Sequence, residues 1–185
     1  MKKYKLGKCE GNELCRVIAL RDFADVKKGD IGGRIQSKGN LSHEGDAWVS
    51  SNARVYGNAW VYGNAQVSGN AQVSGNARVS GDARVYGNAQ VSGNAQVYGN
   101  AQVSGNARVS GNAQVSGNAW VTKFLVNVIM KPFPIMITDN HVQIGCELLR
   151  KDHLAQDGLT AAKKYNLDKK TVAKYRAIIK ALMMT

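Results

Sequence analysis

Residues 93–110 read GNAQVYGNAQVSGNARVS, one six-residue phrase stated three times with small changes. Ala and Val stand two apart, so on an extended chain they share one face, while Gln/Arg and Ser/Tyr share the other. Gly-Asn then supplies a corner, because Gly accepts positive φ and Asn is the next most tolerant residue. A helix needs apolar residues at three- and four-residue spacing and does not accept a Gly at every sixth position. The unit is a short strand followed by a turn.

The phrase is strict outward from this stretch, from Ala47 to Thr122. Ala recurs at every sixth position from Ala47 to Ala119, and Val follows two residues later each time, from Val49 to Val121. A fixed internal period means stacked units, each satisfied by its neighbours, rather than a bulky globular core. With three such sides per coil, residues i and i+18 share a column. Trp48, Gln66, Arg84, Gln102 and Trp120 then stack on one face, and Arg54, Gln72, Gln90 and Arg108 on a second. Trp60, Arg78, Gln96 and Gln114 stack on the third.

Val49-x-x-x-Ala53 and its later equivalents resemble the hexapeptide-repeat family, with Gly two positions after the aliphatic residue instead of one. The resemblance implies a mainly β fold, a left-handed parallel β-helix. GDIGGRI (29–35) and ITDNHVQIGCE (137–147) extend it to small hexapeptide-repeat proteins of bacteriophages and prophages, often called polymer-forming. That implies a phage or prophage origin and a fold, but no activity, because the same scaffold carries acyltransferases, carbonic anhydrases and inert spacers.

The flanks divide the chain further. Residues 1–46 read as an N-terminal β cap with a first irregular coil, in which Ile35 and Leu41 fall on the Ala positions when counted back by six. Gly32-Gly33 reads as a turn. Residues 47–122 form the repeat. Residues 123–145, with Pro132 and Pro134, read as a β-rich cap for the other end, since open solenoid ends invite strand addition. From Cys146 the pattern turns helical, and residues 146–185 form a small basic α-helical appendage. ELLRKDHLA (147–155), LTAAKKY (159–165) and a helix beginning after an Asp168 N-cap are its candidate helices.

Net charge is +12, and the repeat itself contributes little of it. Cys9, Cys15 and Cys146 form no CxxC pair and have no His at metal spacing, so they read as reduced thiols. The start of the chain, MKKYKLG, has no apolar run behind it, and FLVNVIM (124–130) is far too short to span a membrane. The expected location is the cytoplasm, that of the host if the chain is phage-encoded, with no membrane contact.

Catalysis has thin support. Hexapeptide acyltransferases use a His as general base, and γ-type carbonic anhydrases need three His on zinc. The strict repeat contains no His. His43, beside Glu44 and in register with the Val positions, is the weak catalytic candidate. The bland reading makes it a residue that closes the first coil. No metal site and no cofactor are expected, and the chain reads as a non-enzyme, with an acyltransferase-like enzyme as the outlying alternative.

Two binding readings remain. Trp48, Arg54, Tyr56, Trp60 and Tyr62 gather in the first regular coil, and Trp and Tyr are favoured at interfaces. Equally, Trp48 and Trp60 fit as packing beneath the N-terminal cap. The surface reading is a scaffold, a dimer or trimer, that contacts a host or phage protein, with inhibition of a host defence system as one use of such a surface. The other reading is nucleic-acid binding by the tail. TAAKKYNLDKKTVAKY (160–175) has helix-turn-helix spacing, with Asn166 at the turn, and Lys163, Lys164, Lys169, Lys170, Lys174, Arg176 and Lys180 supply phosphate-directed charge. A plain helical hairpin shares that spacing.

Overall fold

The computed structural model describes residues 2–10, 13–122, 126–128, 135–137, 141–144, 147–150, 166 and 168–183. The chain divides into two compact units, Met1–Leu125 and Val126–Thr185. The first is a parallel β-solenoid. Strands β1 (Tyr4–Glu10), β2 (Leu14–Ala19) and β3 (Ile31–Ile35) lead into it, followed by a 3-10 turn at Lys38–Asn40. Thirteen two-residue strands follow, from β4 (Trp48–Val49) to β16 (Trp120–Val121).

These strands form three ladders. One runs β4, β7, β10, β13, β16 and another β6, β9, β12, β15. The third continues the N-terminal strands, β1-β2-β3-β5-β8-β11-β14. Registers such as Arg84↔Gln102 and Trp60↔Arg78 place the outward columns where the period of the sequence does. Each Ala and Val of the phrase is buried, with Val49 through Val121 at 0% exposure. Each buried Val stabilises the stack by roughly 1.5–2 kcal/mol, so a thin core accumulates rung by rung. At the corners the Gly residues hold a left-handed backbone, for example Gly81 at φ 66. An ideal Cβ there would sit 2.9 Å from Gly99 N, so the stacking itself requires Gly. Asn side chains bridge the corners in the same direction, as Asn58 Nδ2 donates to Asn76 Oδ1 at 3.2 Å and Asn76 Nδ2 to Asn94 Oδ1 at 3.0 Å.

Four sequence expectations change at the N-terminal end. Ile35 pairs with Val55, and Leu41 bridges to Val61, so both fill Val positions and not Ala positions. Their aliphatic bulk suits the inward Val slot. The count slipped because His43 and Glu44 are two extra residues between Leu41 and the regular corner at Gly45. His43 therefore stands outside the Val column. Gly32 and Gly33 belong to β3 and not to a turn. They allow close approach, since an ideal Cβ on Gly33 would lie 2.7 Å from Ala53 O. Cys9 and Cys15, expected as free thiols, are opposite partners in the β1–β2 hairpin and form a disulfide.

The second unit contains a four-stranded antiparallel sheet in chain order, β17 (Val126–Val128), β18 (Ile135–Ile137), β19 (His141–Ile144) and β20 (Glu147–Arg150). Strand β20 overturns the helix expected at ELLR. The register Ile144↔Glu147 closes a hairpin over two residues, and ladder pairing overrides the helical preference of Glu and Leu. The sheet also crosses the boundary drawn at 145/146. One α-helix is present among the described residues, α1 (Lys169–Met183).

Candidate functional site

Polarity of the solenoid decides what its first coil needs. Throughout the stack, backbone N–H groups donate to carbonyls one coil further on, as Gln72 N does to Ala89 O and Ser74 N to Val91 O, both at 2.9 Å. The first coil therefore presents carbonyl oxygens that no earlier regular coil serves, two at each corner. Groups of the N-terminal segment serve them instead, most of them side chains. Lys3 Nζ donates to Gly45 O at 3.1 Å and Ala47 O at 2.7 Å. Asn40 Nδ2 donates to Gly57 O at 2.9 Å and Ala59 O at 2.8 Å. At the third corner Arg16 Nη1 donates to Ser51 O at 2.7 Å, and Arg34 N donates to Ala53 O at 2.9 Å. An unserved buried carbonyl is costly, which explains why Lys3 and Asn40 are buried polar residues.

Burial pushes the Lys3 ammonium down to about 8; nearby Asp46 opposes the shift and Arg21 adds to it. The neighbouring Tyr4 is buried, and burial raises its phenol to about 12. Its hydroxyl donates toward Leu41 O at 2.8 Å.

His43, the catalytic candidate, is part of this seal. Its Nδ1 accepts from Lys3 N at 3.2 Å, and its ring stacks on Tyr4 with centroids 4.2 Å apart. Burial, then the Lys3 charge, lowers its pKa. Glu44 is exposed, its N–H donates to Ser42 Oγ at 3.0 Å, and among the described residues no ion pair joins it to His43. The base-and-carboxylate pair expected from sequence is not brought together. No cluster of metal-ligating side chains occurs among the described residues.

The five contact candidates separate. Trp48 is buried at 4% exposure, and Phe23 meets it edge-on at 5.3 Å, so of its two expected places it takes the one beneath the N-terminal cap and not the one on a contact patch. Its position beside the N-terminal strands covers it. Trp60 is 40% exposed and stacks on Tyr62 at 4.1 Å. Arg54 is exposed, and half-buried Tyr56 reaches Gln72 Oε1 at 3.4 Å. Tyr98 and Trp120, which the sequence reading did not select, are also exposed. A groove of about 620 Å³ runs beside the same unit, bordered by Asp25, Asp46, Asp82, Arg84 and Tyr86.

In the tail, Asp168 caps α1, accepting from Thr171 N at 2.8 Å and Thr171 Oγ1 at 2.7 Å. These bonds hold its carboxyl below the usual range. Asn166 takes the left-handed backbone at φ 49. Lys169, Lys170 and Lys174 are exposed and Tyr175 is buried; Arg176 and Lys180 fall on α1. Lys163, Lys164 and the candidate helices over 151–165 lie outside the described residues.

Residues 47–63, 53–69, 71–87, 77–93 and 101–117 match the family model of the YdcK beta solenoid repeat. The match and the ladders agree on a repeat β-solenoid. No curated protein matches the chain.

Proposed function

We propose that this chain is a non-enzymatic scaffold that presents a solenoid surface to a macromolecular partner. Within this proposal the solenoid is the left-handed hexapeptide type, of phage or prophage origin. The chain works as a dimer or trimer in the host cytoplasm, and its partner is a protein such as a component of host defence. The observation that carries the reading is exposed Trp60, set on a two-residue strand of the ladder and stacked on half-buried Tyr62. Rigid exposed aromatics bind with little ordering cost. The test places a photocrosslinking residue at Tyr62 in host lysate. The expected result is one dominant adduct, competed by unlabelled protein and weakened by Trp60→Ala. Labelling that Trp60→Ala leaves unchanged refutes the reading.

A second reading has its own support, the capped helix α1 with exposed Lys169, Lys170 and Lys174. Here the tail binds nucleic-acid phosphates and the solenoid arrays copies. Binding to duplex DNA would fall steeply with salt, and charge reversal at these three lysines would abolish it. Retention unaffected by the reversal excludes this use of the tail.

A further inference from the structure

Three guanidinium-bearing residues stand on consecutive rungs of the ladder that enters the solenoid. Arg16 of β2 is the register partner of Arg34 of β3, and Arg34 is the partner of Arg54 of β5 (Arg54–Val55). Register partners share a face, at strand spacings of about 4.8 Å. The opposite face is the apolar one, where Cys15, Ile35 and Val55 are buried. Like charges on directly opposed positions destabilise a sheet. The same column continues with Gln72 and Gln90, so the fold accepts a neutral residue at this slot. The three arginines are therefore not required by the strand geometry.

Their partners leave charge unanswered. Arg16 Nη1 is committed to the carbonyls of Gly32 and Ser51. Arg34 Nη2 donates to Glu10 Oε1 at 2.7 Å, while its Nε is buried and has no hydrogen-bond partner. Arg54 is exposed and has no ion pair among the described residues. Glu10 is the single carboxylate paired with the cluster among the described residues, and it is itself half exposed. The three guanidinium charges together hold its carboxyl below the usual range, the Arg34 hydrogen bond most of all. Three positive charges face one negative charge, and the Arg34 fork is used on one nitrogen only.

We propose that Arg34 and Arg54, backed by Arg16, form a binding site for a phosphate-type dianion, the terminal phosphate of a small phosphomonoester or free inorganic phosphate. The oxyanion displaces Glu10, takes the Nε–Nη2 edge of Arg34 in a bidentate contact, and is held on its other side by Arg54. Guanidinium forks match tetrahedral oxyanions in this way. A dianion also answers two of the three guanidinium charges, where the single carboxylate it displaces answers one. Glu10 acts as an internal competitor, so affinity is set by how easily it swings away.

The test is isothermal titration of the full chain at constant ionic strength with inorganic phosphate, with glycerol phosphate, and with chloride as the control. Phosphate and glycerol phosphate bind and chloride does not; glycerol phosphate binding more tightly assigns the site to a phosphomonoester, and equal binding assigns it to the bare anion. Arg54→Gln, which copies the next rungs and keeps the fold, weakens binding by about tenfold or more, in line with the loss of a charged hydrogen bond. Glu10→Gln tightens it. Phosphate heat no larger than that of chloride, or an Arg54→Gln chain that binds as the wild type does, overturns the proposal. A thermal unfolding curve of Arg54→Gln that matches the wild type verifies that any loss reflects the site.

Discussion

Lys3 gives the sharpest test of how the first coil is sealed. Its ammonium is buried and depressed from 10.5 to about 8, chiefly by desolvation. In the unfolded chain the side chain titrates at its ordinary value. Between these two values the unfolded state binds more protons than the native state, so native stability rises with pH. The stability is fully present above about 10.5 and is lost as pH falls through about 8. The full shift corresponds to roughly 3 kcal/mol. Deprotonation sacrifices no contact, because a neutral amine keeps two N–H donors for the two carbonyls, Gly45 O and Ala47 O. Urea unfolding followed by amide exchange of the first coil, at pH 7.5, 8.5 and 9.5, measures the slope. The wild type gains stability across that series, and Lys3→Met is less stable but flat. Asp46→Asn steepens the wild-type gain, since Asp46 is what favours the charged form. Tyr4 reverses the trend above about pH 10, because its folded value of about 12 is raised. A flat wild-type profile between pH 8 and 9.5, or an equal slope in Lys3→Met, refutes the desolvated seal.

Asn40→Leu keeps the volume but leaves Gly57 O and Ala59 O unserved, and is expected to cost about 2–4 kcal/mol in chemical denaturation. Gly81→Ala forces a side chain into the left-handed corner against Gly99 N; a loss of roughly 2 kcal/mol or more should appear as a lower unfolding midpoint. Asp168→Ala removes the cap on Thr171, and should lower the local stability of α1 by about 1 kcal/mol, read as faster amide exchange confined to its first turn.

The repeat was legible because its period fixes which residues can be neighbours. Arg54 and Gln72 are register partners for the same reason that Val55 and Val73 are. Where the period breaks, counting fails. The extra His43-Glu44 moved Ile35 and Leu41 from one slot to another, and no composition signal marks such an insertion. Trp48 and Trp60 occupy identical positions in the phrase, yet only Trp48 has the N-terminal strands beside it. Burial there depends on a neighbour distant in sequence. The ELLR segment contains good helix formers and becomes a strand through its hairpin partner. Lys3 and Asn40 look like ordinary surface residues. They acquire a role only once the direction of the backbone hydrogen bonds is known, and a sequence period carries no direction.

The coil length has a consequence for how such a chain can grow. Corner asparagines bond to the asparagine eighteen residues on, as Asn70 does to Asn88. Duplicating eighteen residues therefore lengthens the stack while every column stays on its own face. Duplicating six would fill every inward slot equally well, with no penalty in the core, yet would turn everything downstream by one side, so that a tryptophan rung such as Trp120 would exchange faces. Selection on stability cannot distinguish these two events, whereas selection on a surface can.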